Sequence, residues 1–163
     1  LKNIGASYSI VGHSESRLQG EDDETILNKV QTALDCDLIP ILCIGENQDE
    51  YSKGRTEKKI KHQLTKNLFP LQNTSNKILI AYEPIYAIGS GIAVQNEHLQ
   101  EVSLLIKDLV KDNLGADLTL IYGGSVTSES AKNLAKVDDI DGFLVGNASL
   151  DPKEFANIAQ SLE

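Results

Sequence analysis

Glu83 stands directly behind the apolar run "KILIAY" (77–82) and directly ahead of Pro84 and the glycine-rich "AIGSG". A carboxylate ending a buried strand suits a general base, because partial burial raises its proton affinity toward the neutral range. A salt-bridged rim carboxylate is the competing reading. His13 holds the matching place after "YSIV" (8–11), one residue past Gly12 and ahead of "SES"; a histidine there is either structural or an acid–base partner. Glu46, in "CIGE" after "IPIL", reads as a solvated or helix-capping carboxylate. Two further apolar runs end in glycine: "LTLIY" (118–122) leads to Gly123, Gly124 and Ser125, and "GFLV" (142–145) leads to Gly146 and Asn147. Singly, each glycine turn is only a tight turn. Together, ahead of helix N-termini, they offer an anion site of exposed N–H groups. Pro84, with Gly89 and Gly91 beyond Ala87 and Ile88, has the make-up of a hinged lid, and the Gly89 N–H is available to an anion.

The elements that must position these residues are legible as alternation. The five apolar runs, at 8–11, 39–44, 77–82, 118–122 and 142–145, are too short for helices and rich in β-branched residues, so they predict five buried strands. Helical periodicity separates them at 22–35, at 56–68 and at 97–112. A last helix is predicted from Asp151 as N-cap, with Pro152 at the first helical position and Glu154 closing a capping box, running to Leu162. Strand–helix alternation implies α/β architecture with a parallel sheet, without separating a doubly wound sheet from a (β/α)8 barrel. In both, function sits at the carboxyl ends of the strands.

The 163 residues suit one domain, 1–163, with no linker or low-complexity tract. A net charge of −9 argues against a nucleic-acid or anionic-membrane surface, so any anionic ligand needs a local site. Cys36 and Cys43 form no metal or disulfide pattern and read as free thiols of a reducing cytoplasm. No apolar run is long enough to span a membrane. The chain opens without Met on "LKNIGASYSIVG", which reads as a start in mid-pattern.

In order along the chain, "GHSESR", "ILCIGE", "AYEPIYAIGSG", "IYGGSV" and "DGFLVGNASL" resemble the triosephosphate isomerase family. The resemblance implies a (β/α)8 barrel and, as is well described for this family, a glutamate base with a neutral histidine electrophile kept so by a helix N-terminus. Glu83 is then the base, removing a carbon-bound proton from dihydroxyacetone phosphate or glyceraldehyde 3-phosphate, and His13 moves protons between the enediol oxygens. Glu15 resembles the second acidic residue, with an ion-pair or interface role as its alternative. Gly89, Ser125, Gly146 and Asn147 would hold the phosphate, and a lid containing Pro84, Ile85, Tyr86, Ala87, Ile88, Ser90 and Gly91 would close over the substrate. No cofactor and no metal are implied; a cytoplasmic homodimer of glycolysis and gluconeogenesis is.

The chain departs from the family pattern at Tyr86, where Trp is usual, at Ile92, where Lys is common, and at Asn147, where a second Gly is usual. The larger departure is extent. The resemblance accounts for strands four to eight of the barrel and leaves out the first three βα units, with their Asn and phosphate-facing Lys and the loop through which family dimers interlock. The expectation is therefore a partial barrel, a fragment with impaired activity when alone. A non-catalytic sugar-phosphate-binding or assembly module of a split barrel, and another phosphate-binding barrel enzyme, remain the alternatives.

Overall fold

The computed structural model describes residues 1–71, 78–88, 94–115 and 117–162. Its strands are β1 (Tyr8–Val11), β2 (Ile39–Ile44), β3 (Leu79–Tyr82), β4 (Thr119–Tyr122) and β5 (Gly142–Phe143). Every neighbouring pair is parallel, in the order β1-β2-β3-β4-β5. This order settles what alternation left open. A doubly wound sheet reverses its strand order at a switch point, whereas a (β/α)8 barrel winds steadily in one direction. These strands wind in one direction, as in part of a barrel. The apolar run at 142–145 pairs for only two residues, although the Leu144 N–H still donates to the Tyr122 carbonyl at 2.8 Å.

Helices cover the sheet at α1 (Ser14–Leu18), α2 (Asp23–Asp35), α3 (Gln48–Ser52), α4 (Thr56–Asn67), α5 (Asn96–Leu114), α6 (Ser128–Leu134) and α7 (Pro152–Gln160). The expected long helices are present within a few residues of their predicted ends. The short ones, α1, α3 and α6, were not anticipated, because they are too short to display an apolar stripe. Local capping holds two of them: Asn47 and Glu50 form a capping box on α3, and Thr127 and Ser130 form one on α6.

The start of α7 differs from expectation in one respect. Asp151 accepts the Lys153 and Glu154 N–H groups, and Pro152 takes the first helical position, but Glu154 does not close a capping box. Its carboxylate accepts the Ser128 N–H at 2.7 Å and the Ser128 hydroxyl at 2.9 Å, tying α7 to the start of α6. That inter-helix bond satisfies a backbone donor which α6 itself leaves open. The helix ends at Gln160, short of Leu162.

Strand parity divides the core. Leu42, Ile44, Ile80, Tyr82, Leu120 and Tyr122 face the helices and join Ile26, Ile60, Leu64, Leu99 and Ile106 in one large buried cluster. Cys43, Ala81 and Ile121 face the opposite side in a smaller cluster with Ile41 and Leu144. That second face is less covered toward β1, where Tyr8 is 54% and Ile10 52% exposed.

At the carboxyl ends, β2 and β3 approach so closely that Gly45 is obligatory. A Cβ there would lie 1.8 Å from the Glu83 carbonyl oxygen, and backbone cannot swing aside as a flexible side chain can. Gly45→Ala must therefore pry the two strand ends apart. The expected loss is about 3 kcal/mol of stability, the upper range for overpacking, measured as a lowered urea midpoint at unchanged m value.

Candidate active site

Two residues past the inward-facing Ala81, Glu83 inherits the same parity and projects at the carboxyl end of the sheet. Its N–H donates to the Ile44 carbonyl at 2.7 Å, continuing the β2–β3 ladder beyond the last strand residue. The residue is only 2% exposed. The glycine of β4's end makes room for its side chain: a Cβ on Gly123 would meet the Glu83 Cγ at 2.9 Å. Gly124 likewise accommodates the Tyr122 hydroxyl, at 2.2 Å from its would-be Cβ. Both glycines therefore serve close packing within the protein.

His13 closes the site from β1's end. It is the N-cap residue of α1, and its Nδ1 accepts the Glu15 N–H at 3.4 Å. With Nδ1 as the acceptor of this bond, the ring presents its Nε2–H toward the site. That Nε2 lies 3.3 Å from Glu83 Oε1. The other carboxylate oxygen, Oε2, accepts the Ser14 N–H at 3.2 Å. Oε1 itself is buried without an aligned hydrogen bond. Burial is the largest influence on Glu83 and pushes its pKa above the ordinary carboxylate value; His13, the Cys43 thiol, the Ser14 N–H and Arg17 oppose it without cancelling it. The Cys43 thiol is itself pushed far up, first by burial and then by Glu83, and stays protonated.

Arg17 had no role assigned from sequence, yet it ties the site together. Its Nε donates to the Gly12 carbonyl at 2.8 Å, and its Nη2 to the Cys43 carbonyl at 3.1 Å and to Asn67 Oδ1 at 3.2 Å. Nη1 meets Asp23 at 3.3 Å. One guanidinium thus joins the ends of β1 and β2 to α2 and α4. Gln63 adds a buried bond, accepting the Gly45 N–H at 2.9 Å. The signal for Arg17 was its place in "GHSESR", four residues past His13.

Glu46 corrects the reading of a solvated or helix-capping residue. It is 0% exposed. Its carboxyl group accepts the Tyr82 hydroxyl at 2.9 and 3.2 Å, and His98 Nε2 lies 3.2 Å from its Oε1. Parity could have found it, since Glu46 follows Leu42 and Ile44 on the helix-facing side.

His13, Glu15, Glu83, Ile88, Ser125, Gly146 and Asn147 line one cavity of about 630 Å3, whereas Pro84, Ile85, Tyr86 and Ala87 do not line it. Ser125 follows β4, and Gly146 precedes a short 3-10 turn at Asn147–Leu150. Glu15 is exposed at the cavity wall. After Glu83, Pro84 is buried, Ile85–Ala87 form a 3-10 turn, and Tyr86 stacks on Tyr51 with ring centroids 4.5 Å apart. Gly89, Ser90, Gly91 and Ile92 lie outside the described residues. No lysine or arginine is among the described residues lining the cavity, and no cluster of three or more acidic, histidine or cysteine side chains suited to a metal occurs among the described residues.

The raised Glu83 pKa has a definite sign in stability. The native state binds this proton more tightly than the unfolded chain, so ionising Glu83 lowers stability as pH rises from 4.5, its ordinary value, through its folded value. Glu83→Gln is expected to match the parent in thermal midpoint below that window and to exceed it above. Calorimetric melts from about pH 3.5 to about pH 8 check this.

The triosephosphate isomerase family model matches residues 1–162. Among similar curated proteins, the triosephosphate isomerase of Francisella philomiragia is 38% identical over 97% of this chain and 64% of its own length. That of Aquifex aeolicus is 42% identical over 99% of this chain and 67% of its own length, and that of Yarrowia lipolytica 42% over 99% and 66%. The chain thus spans 64 to 67% of the length of these relatives.

Proposed function

Since the chain belongs to the triosephosphate isomerase family, we propose that it carries the catalytic face of an enzyme interconverting dihydroxyacetone phosphate and glyceraldehyde 3-phosphate. The observation that carries this reading is the pairing of a buried Glu83 of raised proton affinity with His13, whose Nε2 lies 3.3 Å away, on one cavity wall. Glu83 takes a proton from the carbon beside the substrate carbonyl, while His13 Nε2–H donates to the carbonyl oxygen. The intermediate is an enediol; His13 then takes a proton back from the neighbouring hydroxyl oxygen while Glu83 returns its proton to the adjacent carbon, exchanging ketone for aldehyde. A carboxyl group held above its ordinary pKa is a stronger base than an exposed one, which lowers the barrier to removing a weakly acidic C–H.

Phosphate is held by Ser125, by the N–H groups at Gly146 and Asn147, and by Gly89. Backbone N–H groups suit a dianion at a cavity that also holds Glu15 and Glu83. With no cationic side chain among the described lining residues, this holding is dipolar, and the isolated chain binds substrate weakly and turns it over slowly. Pro84–Gly91 form the lid, and Glu15 supports His13 through its N–H. The reading includes a cytoplasmic homodimer acting in glycolysis and gluconeogenesis.

Incubation of the chain with dihydroxyacetone phosphate in D2O, followed by proton NMR, tests the reading. Slow deuterium incorporation at the substrate carbon is expected, and its loss in Glu83→Gln. Binding of a phosphorylated enediolate analogue without any exchange would instead favour the non-catalytic binding module. Glu83→Asp draws the carboxylate back by about 1 Å and is expected to cost on the order of a hundredfold in exchange rate; a rate near that of the parent would remove Glu83 as the base.

A further inference from the structure

The buried polar group on the helix side of the sheet is not consumed by the chemistry just described. Glu46 reaches both sides of Glu83 in the chain. Its carboxyl group accepts the hydroxyl of Tyr82, the residue before the base, and its carbonyl accepts the N–H of Ile85, two residues after it, at 2.9 Å. Glu83 is therefore bracketed by two bonds to one residue. Glu46 in turn is held from the first turn of α5, where His98 Nε2 lies 3.2 Å from its Oε1 and 3.3 Å from the Tyr82 hydroxyl. The imidazole packs edge-to-face with the Tyr51 ring, at 5.0 Å between centroids, and Tyr51 stacks on Tyr86.

We propose that His98 and Glu46 are positioning residues for Glu83: with Tyr82 they form a hydrogen-bonded brace behind the sheet that sets where the Glu83 carboxylate sits in front of it. This inference rests on the isomerase reading for its kinetic consequence and on geometry alone for the placement of the carboxylate. Glu46 and Tyr82 are buried and His98 partly so, and such a polar group is stable only when its members satisfy one another, so removing one partner frees the rest to move. The brace acts along the backbone: Tyr82 and Glu83 point to opposite faces, and a shift of the Tyr82 ring carries the next residue with it. Burial and the adjacent Glu46 push the Tyr82 phenol far up, so it remains a donor.

The Ser14 N–H reports the outcome directly, because it donates to Glu83 Oε2 at 3.2 Å. In the full chain, His98→Leu removes the donor to Glu46, and His98→Gln restores an N–H of similar reach without an imidazole. The expected result is a shifted Ser14 amide resonance in His98→Leu that returns in His98→Gln. Deuterium exchange into dihydroxyacetone phosphate should fall on the order of tenfold in maximal rate, with half-saturation changed less than about twofold, and recover with the same rescue. Amide exchange at Ile121 and Tyr122 in β4 serves as a control for general loosening.

An unmoved Ser14 resonance in His98→Leu overturns the proposal, as does an equal defect in the Leu and Gln variants, since shape and not the hydrogen bond would then be at work. If the parent chain exchanges no deuterium while Ser14 still shifts and recovers, the isomerase reading falls and the brace stands. If the parent is active and Ser14 does not respond, the brace falls and the isomerase reading stands.

Discussion

The carboxyl group of Glu83 is held where water scarcely reaches it, and its partners compensate it only in part. One backbone N–H meets one oxygen, and the imidazole faces the other without an aligned bond. A charge removed from water and incompletely paired costs free energy, and the cost is expressed as a raised affinity for a proton. Stability and reactivity are thus set against each other at one residue. The surrounding sheet is built to tolerate this: Gly45 admits the Glu83 backbone, Gly123 admits its side chain, and the Cys43 thiol lies against it as a neutral donor.

The two faces of the sheet do different work because successive strand residues point in opposite directions. On the inner face, Cys43, Ala81 and Ile121 lead to the chemistry of Glu83. On the helix face, Leu42, Ile44, Ile80 and Tyr82 lead to the hydrogen-bonded group of buried Glu46 and Tyr82 with half-buried His98. Arg17 ties the ends of β1 and β2 to α2 and α4. Rigid placement of the candidate catalytic pair therefore draws on helices that never touch the cavity.

The electrostatics of the proposed phosphate site follow from the same economy. The chain is acidic overall, at −9, and among the described residues two carboxylates line the cavity, so long-range attraction for an anion is weak. What the described residues offer is short-range: N–H groups of glycine-rich turns after β4 and β5. Such dipoles act over a few ångströms and discriminate by shape, which suits a ligand whose other end must meet His13 and Glu83 at a fixed distance.

The sequence by itself determined the strands and long helices, because apolar periodicity is a local property that burial enforces residue by residue. It also determined which residues stand at strand ends, and ordered motifs pointed to His13, Glu83, Ser125 and Gly146 as one group. The short helices α1, α3 and α6 escaped, since a stripe needs more than one or two turns to show. Only the tertiary structure decided the winding of the sheet, because strand order depends on contacts between segments far apart in the chain. It alone turned Glu46 from a surface carboxylate into a buried partner of His98, 52 residues away, and gave Arg17 its place among four elements. It also gave Gly123 and Gly124 their reason, which is room for Glu83 and Tyr122. Burial of a polar group depends on what the fold brings around it, and a strand end read in isolation carries only half of that information.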